Sequence, residues 1–132
     1  MVDTNVILDV WLLREPYWKE SATLVSWVEQ GKLTGFLCPI TITTLHYLGK
    51  SALGEKQARV LLGQLLDIFK VGVLTPEIFR DALSSRITDF EDAVIEAVSL
   101  AAEVDVIATR NLKDFQRSRI HAKSPAQLLQ LK

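Results

Sequence analysis

Hydrophobic residues along this chain fall into two patterns, short continuous runs and repeats at helical spacing. The continuous runs predict buried strands, and they cover residues 35–38, 71–74 and 104–109. The repeats at spacings of three and four predict helices, and they cover residues 17–30, 43–51, 55–69, 78–84 and 89–103. Ser124 followed by Pro125 predicts a last helix, since proline suits the first helical position. Short strands separated by helices predict an α/β fold, a three-layer α/β/α sandwich with a central parallel sheet.

The N-terminal segment predicts a first strand that is unusually short. Asp3, Thr4 and Asn5 form a polar trio ahead of an apolar run, which places the Asp3 carboxylate at a strand end and a helix start. A buried first strand normally supplies about four or five residues before such an acid. Only Met1 and Val2 precede it here, so we expect either a translation start further upstream or a very short strand.

Composition sets the class of protein. A chain of 132 residues suits a single domain, residues 1–132, and 48% hydrophobic residues leave room for a buried subunit interface. Cys38 is the only cysteine, which excludes an intrachain disulfide and a cysteine zinc site. The N-terminus lacks the basic region of a signal peptide, and no apolar run reaches the roughly 18 residues of a membrane span. We therefore expect a cytoplasmic protein without a membrane segment.

The net charge of −1 conceals an uneven distribution. Residues 77–105 carry eight acids against two arginines, whereas residues 110–123 carry five basic residues against one acid. An acidic stretch followed by a basic one suits a metal site beside a track for phosphates, in which Arg110, Lys113 and Arg117 would steer the substrate. Solvated helix faces produce the same pattern, so charge alone does not decide between them.

Several polar residues fall where a parallel sheet gathers its functional groups, at the carboxyl ends of the strands. Asp3 follows the first strand, and Thr109 ends the strand that leads to Asn111 and Asp114. Asp92 lies in the first turn of the helix over 89–103. Carboxylate and amide oxygens from separate loops suit Mg²⁺ or Mn²⁺. A site of this kind would hydrolyse phosphodiesters through a metal-activated water, without a protein nucleophile.

Each of these residues also has a purely structural interpretation. Asp3 would serve as a helix N-cap, and Asn111 and Asp114 as loop and cap residues. Polar residues recur along one helix face at Asp92, Glu96, Ser99 and Glu103, which is typical of a solvated face. Only the conjunction of the acids favours a metal site.

The start of the helix over 89–103 carries its own signal. Thr88 and Glu91 have the spacing of a capping box, in which each side chain accepts from the other's backbone N–H. Asp89, in the first turn of the same helix, complements the positive end of the helix dipole. Thr88 is therefore the expected N-cap.

Three segments together resemble a PIN domain. They are Asp3–Asp9 (DTNVILD), Asp89–Ala93 (DFEDA) and Thr109–Phe115 (TRNLKDF), and their order and spacing match the family across the whole chain. The chain is most similar to the small stand-alone bacterial PIN proteins, a group that includes the VapC-type toxins. The resemblance implies a three-layer α/β/α fold, cleavage of single-stranded RNA with Mg²⁺ or Mn²⁺, a homodimer, and inhibition by a cognate antitoxin.

The resemblance also assigns individual residues. Asp3 matches the first acid of the family, Asp92 the acid of the later helix, and Thr109 the hydroxyl residue that ends the fourth strand. Asn5 follows Asp3 as a supporting polar residue. These matches imply that Asp3 and Asp92 are metal ligands.

Two positions depart from the family pattern. Thr44 occupies the place of the second acid, and Asn111 occupies the place of the acid after Thr-Arg. Asn111 as a neutral ligand, or Asp114 or Asp89 as a substitute carboxylate, would then complete the site, with Glu91 nearby. The departures keep a second hypothesis open, a catalytically depleted PIN fold that binds RNA or protein.

Two other functional classes fail on particular residues. A phosphorylatable receiver domain needs an acceptor Asp at the end of its central strand, but the run Val71–Leu74 leads into Thr75 and Pro76. A phosphohydrolase with an Asp-x-Asp pair fails because Asn5 stands in the second position.

Overall fold

The computed structural model describes residues 1–131, and Lys132, the last residue of the predicted domain, lies outside the described residues. The α-helices are α1 (Thr4–Trp11), α2 (Trp18–Glu29), α3 (Pro39–Leu53), α4 (Glu55–Ile68), α5 (Pro76–Leu83), α6 (Phe90–Ala101) and α7 (Pro125–Gln130). The strands are β1 (Phe36–Leu37), β2 (Lys70–Val71), β3 (Ile107–Ala108) and β4 (Ala122–Lys123). A short 3₁₀ helix spans Leu112–Phe115.

The strands form one sheet through the N-terminal residues. β1 pairs in parallel with β2, and β3 pairs in parallel with β4. Val2 joins the two pairs, because its backbone N–H donates to Phe36 O at 2.9 Å and it forms a parallel bridge with Ala108. The resulting order is β2, β1, the N-terminal segment, β3 and β4. The very short first strand predicted from the sequence is therefore the central one.

Alternating side chains on the strands create two cores. Met1 and Ile107 belong to a cluster with the buried face of α6, whereas the neighbouring Val2 and Ala108 belong to a second cluster with α1, α2 and α4. Successive residues of a strand point to opposite faces of a sheet, so helices must cover both faces. This confirms the predicted three-layer α/β/α fold. Within residues 1–131, no helix is long and apolar enough to cross a membrane.

Most predicted elements are confirmed, but the strands are shorter than predicted. β1 ends because Pro39 occupies the first turn of α3, and the last main-chain contact of the neighbouring segment is Gly72 N–H to Leu37 O at 2.9 Å. Val73 is 67% exposed and lies outside the sheet, so the strand predicted over 71–74 is wrong beyond its first residue.

Gly72 lets the edge of the sheet approach α6 closely. A Cβ at Gly72 would lie 2.4 Å from Val98 Cγ1, so we expect Gly72→Ala to destabilise the fold by about 1–3 kcal/mol through overpacking. A Cβ at Gly63 on α4 would meet nothing within 4 Å, and Gly63→Ala should stabilise by about 0.5–1 kcal/mol. Urea unfolding of both variants checks the pair, and equal effects would contradict this packing.

Candidate active site

Asp3 is held between the first strand and α1. It is 5% exposed, its Oδ1 accepts from Thr4 N–H at 2.8 Å, and its Oδ2 accepts from Thr109 Oγ1 at 2.8 Å. Asp3 is therefore both the N-cap of α1 and a residue that binds the end of β3. Its carboxylate keeps lone pairs free for a further ligand, because each oxygen accepts only one of these hydrogen bonds.

Thr109 is fully buried and fixes this arrangement. Besides donating to Asp3, its Oγ1 accepts from Asn111 N–H at 3.0 Å. Burial raises the pKa of Asp3, the hydrogen bonds from Thr109 and Thr4 oppose that change, and the charges of Asp114 and Glu91 add to it. The net pKa is above the ordinary value.

The start of α6 brings further carboxylates to Asp3. The N-cap is Asp89, whose Oδ1 accepts from Asp92 N–H at 3.0 Å, and not Thr88 as predicted. The helix begins one residue later than a Thr88 cap requires, so Asp89 lies three residues before the N–H that it binds. Thr88 is exposed and Glu91 turns toward α3 instead of the helix backbone.

The charges of these acids act together on the Asp92 carboxyl group and shift its pKa. Burial, followed by the charges of Asp3, Asp89, Asp114 and Glu91, raises the pKa of Asp92 to about 7. Like-charged groups arranged in this way favour protonation or the binding of a cation. The four neighbouring acids come from three separate segments of the chain.

A carboxylate lies against Thr44, although Thr44 itself is not an acid. Glu91 Oε1 is 3.4 Å from Thr44 Oγ1, which donates to it. The family pattern places an acid on α3 at the position of Thr44, and here a carboxylate from α6, that of Glu91, lies beside this position. The sequence places Glu91 near the site but does not single it out as a site residue.

The loop after β3 carries the remaining candidates. Asn111 is the N-cap residue of the 3₁₀ helix, and its backbone O accepts from Asp114 N–H at 3.0 Å. Asp114 is exposed and contributes charge to Asp3 and Asp92. Asn5 lies half-buried in the first turn of α1.

The donor set fits a hydrated divalent cation. Its ligands are carboxylate oxygens, which Mg²⁺ and Mn²⁺ prefer, and Mg²⁺ is commonly held by one or two carboxylates while keeping several waters. In the part of the chain that the structure describes, no three His, Cys, Asp or Glu side chains converge into a complete metal cage. Asp3 and Asp92 are the residues that would hold such an ion, with the other acids acting at longer range.

Arg110, which the charge pattern predicts to contact RNA, forms an ion pair with Asp9. Its Nε donates to Asp9 Oδ2 at 2.7 Å, its Nη2 donates to Asp9 Oδ1 at 3.2 Å, and its guanidinium lies 4.5 Å from the Tyr17 ring centroid. Asp9 is fully buried, so this ion pair ties α1 to the residue after Thr109. Arg110 therefore supports the site through Asp9, and its contact with RNA stays a prediction.

Lys113 and Arg117 remain on the surface beside the acids. Both line a hollow of about 590 Å³ that also borders Asp89 and Asp114. The predicted juxtaposition of acidic and basic stretches is therefore present in space.

The sequence analysis does not identify two buried carboxylates, Glu96 and Asp9, as important residues. Glu96 and Ser99 are both fully buried, so the interpretation of their helix face as solvated is wrong. Asp9 is likewise buried. The available signal was the sequence context, since each acid interrupts an otherwise apolar helical run. A charge in such a run indicates a buried ion pair, because an unpaired buried charge is too costly.

Comparisons with known proteins agree with this architecture. Similar solved structures include VapBC2 from Rickettsia felis bound to a promoter DNA fragment, at 16% identity and a TM-score of 0.71, covering 94% of this chain and 96% of the other. VapBC-1 from nontypeable Haemophilus influenzae is similar at 21% identity and a TM-score of 0.70, covering 96% and 97%. FitAcB from Neisseria gonorrhoeae is similar at 20% identity and a TM-score of 0.65, covering 95% and 96%.

Sequence identities of 16–21% support a common fold with these structures, but they do not establish a common activity. No curated protein sequence matched the chain. A family model described as PIN domain matches residues 1–113, which is most of the chain and includes Asp3, Asp89, Glu91 and Asp92. The chain belongs to the PIN-domain family.

Proposed function

We propose that this protein is a metal-dependent endoribonuclease that hydrolyses phosphodiesters of single-stranded RNA. The observation that carries the proposal is the environment of Asp92 at the carboxyl end of the parallel sheet, where burial and then the charges of Asp3 and three further acids raise its pKa to about 7. Burial and neighbouring like charges disfavour the ionised form of Asp92, and a bound cation would offset that cost. Membership of the PIN-domain family supports the same activity.

Individual residues would divide the work as follows. Asp3 and Asp92 hold Mg²⁺ or Mn²⁺, and Thr109 fixes the orientation of the Asp3 carboxylate through its hydrogen bond of 2.8 Å. A bound ion would supply activation of a water and stabilisation of charge on the phosphate. Asp114 and Glu91 act on Asp3 and Asp92 through their charges, and both can accept hydrogen bonds from waters. Asn111 is the neutral alternative ligand.

A second candidate is a catalytically depleted PIN fold that binds RNA or protein. The observation in its favour is that no three metal-binding side chains among residues 1–131 form a cage. Thr44 and Asn111 in the places of two acids point the same way. This candidate predicts that RNA binds without any dependence on a metal.

Titration calorimetry with Mn²⁺ separates the two candidates. We expect wild-type protein to bind Mn²⁺, and Asp3→Asn to weaken that binding by more than about tenfold, because an amide lacks the charge that attracts the ion. Asparagine keeps the N-cap of α1, so the fold is retained. Asp67→Asn, on the exposed side of α4, is the matched control and should bind Mn²⁺ like the wild type.

Two results would overturn the nuclease proposal. One is the absence of Mn²⁺ binding by the wild type, and the other is equal affinity in Asp3→Asn and the wild type. Either would favour the binding module. Cleavage of a mixed single-stranded RNA pool with Mn²⁺, followed on a denaturing gel, completes the test.

We also propose a cognate antitoxin, a homodimer and a cytoplasmic location. The names VapBC2 and VapBC-1 of the similar structures denote complexes of two proteins, which supports an antitoxin partner for this chain. The slightly apolar composition, with a mean hydropathy of +0.19, supports a subunit interface. Light scattering coupled to size exclusion would measure the mass, and a monomer at micromolar concentration would contradict the homodimer.

A further inference from the structure

A basic groove leads away from the acids. The hollow of about 590 Å³ beside Asp89 and Asp114 adjoins a second one of about 690 Å³. Both hollows are lined by Arg86, Gln116 and Arg117. We call this surface the arginine groove. It runs from Asp89 and Asp114, whose charges act on Asp92, to Ser118 in the loop after the 3₁₀ helix.

Among the described residues, the cations of this groove make no ion pair, although Asp89 and Asp114 line the same hollow. Across residues 1–131, neither Arg86, Lys113 nor Arg117 makes an ion pair, whereas Arg110 and Arg119 are both held by carboxylates. All three side chains are exposed, so they can contact an incoming anion without breaking an existing ion pair. The sequence indicates Lys113 and Arg117, but it supplies no reason to include Arg86, which comes from the loop between α5 and α6.

The two walls of the groove are fixed to a single buried residue. Glu96 Oε1 accepts from Ser85 Oγ at 2.7 Å and from Arg119 Nη2 at 2.7 Å, and its Oε2 accepts from Arg119 N–H at 2.8 Å. Ser85 precedes Arg86, and Arg119 lies two residues after Arg117. Glu96 is also one helical turn beyond Asp92 on α6. One helix therefore sets the position of the arginine groove relative to the acids.

We propose that the arginine groove binds backbone phosphates of the RNA strand next to the bond that is cut, with Arg86 and Arg117 as phosphate-binding residues. This rests on the proposed ribonuclease function and extends it to how the substrate is held. Gln116 and Ser118 add hydrogen-bond donors of the kind that contact phosphates and sugars.

The lining also indicates what the groove does not recognise. Among the described residues that line the two hollows, none is aromatic, so bases have no surface on which to stack. Phosphate contacts orient a strand without reading its sequence. The groove should therefore bind strands of different sequence equally well.

Fluorescence anisotropy with a labelled single-stranded RNA tests the proposal, in EDTA so that the strand stays intact. Arg86→Ala and Arg117→Ala should each make the slope of log affinity against log salt shallower by about 0.7, and weaken binding about fivefold at about 0.1 M salt, the loss of one phosphate contact. The loss should be equal for oligouridine and oligoadenine. Arg80→Ala, on α5 and outside both hollows, is the matched control and should leave slope and affinity unchanged.

Several outcomes would contradict the proposal that the arginine groove binds RNA phosphates. They are no RNA binding by the wild type, unchanged slopes in both variants, or a loss in Arg80→Ala as large as theirs. Unchanged RNA slopes together with lost binding of an acidic peptide would assign the groove to a protein partner. Mn²⁺ calorimetry on Arg86→Ala and Arg117→Ala should match the wild type. Failure of Mn²⁺ binding with normal salt slopes would therefore remove the nuclease chemistry and leave the RNA groove in place.

Discussion

Asp92→Asn should lose RNA cleavage with Mn²⁺ by about a hundredfold or more. Residues that only orient a metal ligand are worth about 10- to 100-fold in affinity or activity, and Asp92 is itself a proposed ligand. Asparagine has nearly the same shape, so the variant removes the charge and little else. A time course on single-stranded RNA, with Asp67→Asn as the control, measures the loss. Wild-type activity in Asp92→Asn would remove Asp92 from the mechanism.

The same substitution should make the metal-free protein more stable. The pKa of Asp92 is raised from 3.8 to about 7, so the folded state binds more protons than the unfolded chain between these values. Stability therefore falls as the pH rises through this window, and the cost is fully present above it. At pH 8 without metal, Asp92→Asn should melt a few degrees above the wild type, at about 3–4 °C per kcal/mol.

Adding Mn²⁺ should reverse that order. Saturation to 100 times the dissociation constant stabilises the wild type by about 2.7 kcal/mol, whereas a variant that cannot bind gains nothing. Differential scanning fluorimetry with and without Mn²⁺ measures both effects in one experiment. Equal Mn²⁺ shifts in the two proteins, or a lower melting temperature for metal-free Asp92→Asn, would contradict the role of Asp92 in the site.

Glu96→Ala should destabilise the fold more than any surface change. It leaves Ser85 Oγ, Arg119 N–H and Arg119 Nη2 without their acceptor and opens a cavity in the core. Removing one partner of a buried ion pair costs about 3–5 kcal/mol, and about 3 is expected because Arg119 is half exposed and still binds Asp81. The melting temperature should fall by about 10 °C.

Glu96→Gln is the informative companion variant. The amide keeps the oxygen that accepts from Ser85 and Arg119 Nη2, but its NH₂ group meets Arg119 N–H, donor against donor. We expect an intermediate loss of stability. A Glu96→Ala protein within about 1 kcal/mol of the wild type in urea unfolding would show that the network contributes nothing.

The pH dependence of these variants supplies a second check. Burial raises the pKa of Glu96, but the hydrogen bonds from Arg119 and Ser85 outweigh burial and leave it below the ordinary value. A lowered pKa contributes stability above the unfolded value, which is lost as the pH falls through the folded value. The wild type should lose this contribution as the pH falls below 4.5, the ordinary pKa of a glutamate, and Glu96→Gln should lack that component of its acid sensitivity.

The sequence predicted the α/β class and the order of the elements apart from β4 and the 3₁₀ helix, because strand ends and helix starts are local signals. It did not predict which acids are buried. Glu96 and Asp9 depend on Arg119 and Arg110, which are 23 and 101 residues away, and hydrophobic periodicity holds no information on such partners. A row of polar residues on one helix face therefore predicts solvent exposure even where the face is buried.

The exact start of α6 could not be predicted from the sequence either. Thr88 and Asp89 are both good N-caps, and the choice between them rotates Glu91 from the helix backbone to Thr44. One residue of difference in a cap therefore separates a Glu91 that caps its own helix from a Glu91 that lies against Thr44.

The positions of Asp3 and Asp92 at helix starts have a consequence for how ligands would share the site. Asp3 caps α1, and Asp92 lies in the first turn of α6, so the positive ends of two helix dipoles point at the same space. Those dipoles repel a bare cation and attract a phosphate. A bound phosphate would reduce the repulsion between the helix dipoles and a metal ion, and a bound metal ion would reduce the repulsion between the acids and a phosphate. By thermodynamic linkage, each ligand should then tighten the binding of the other by the same factor.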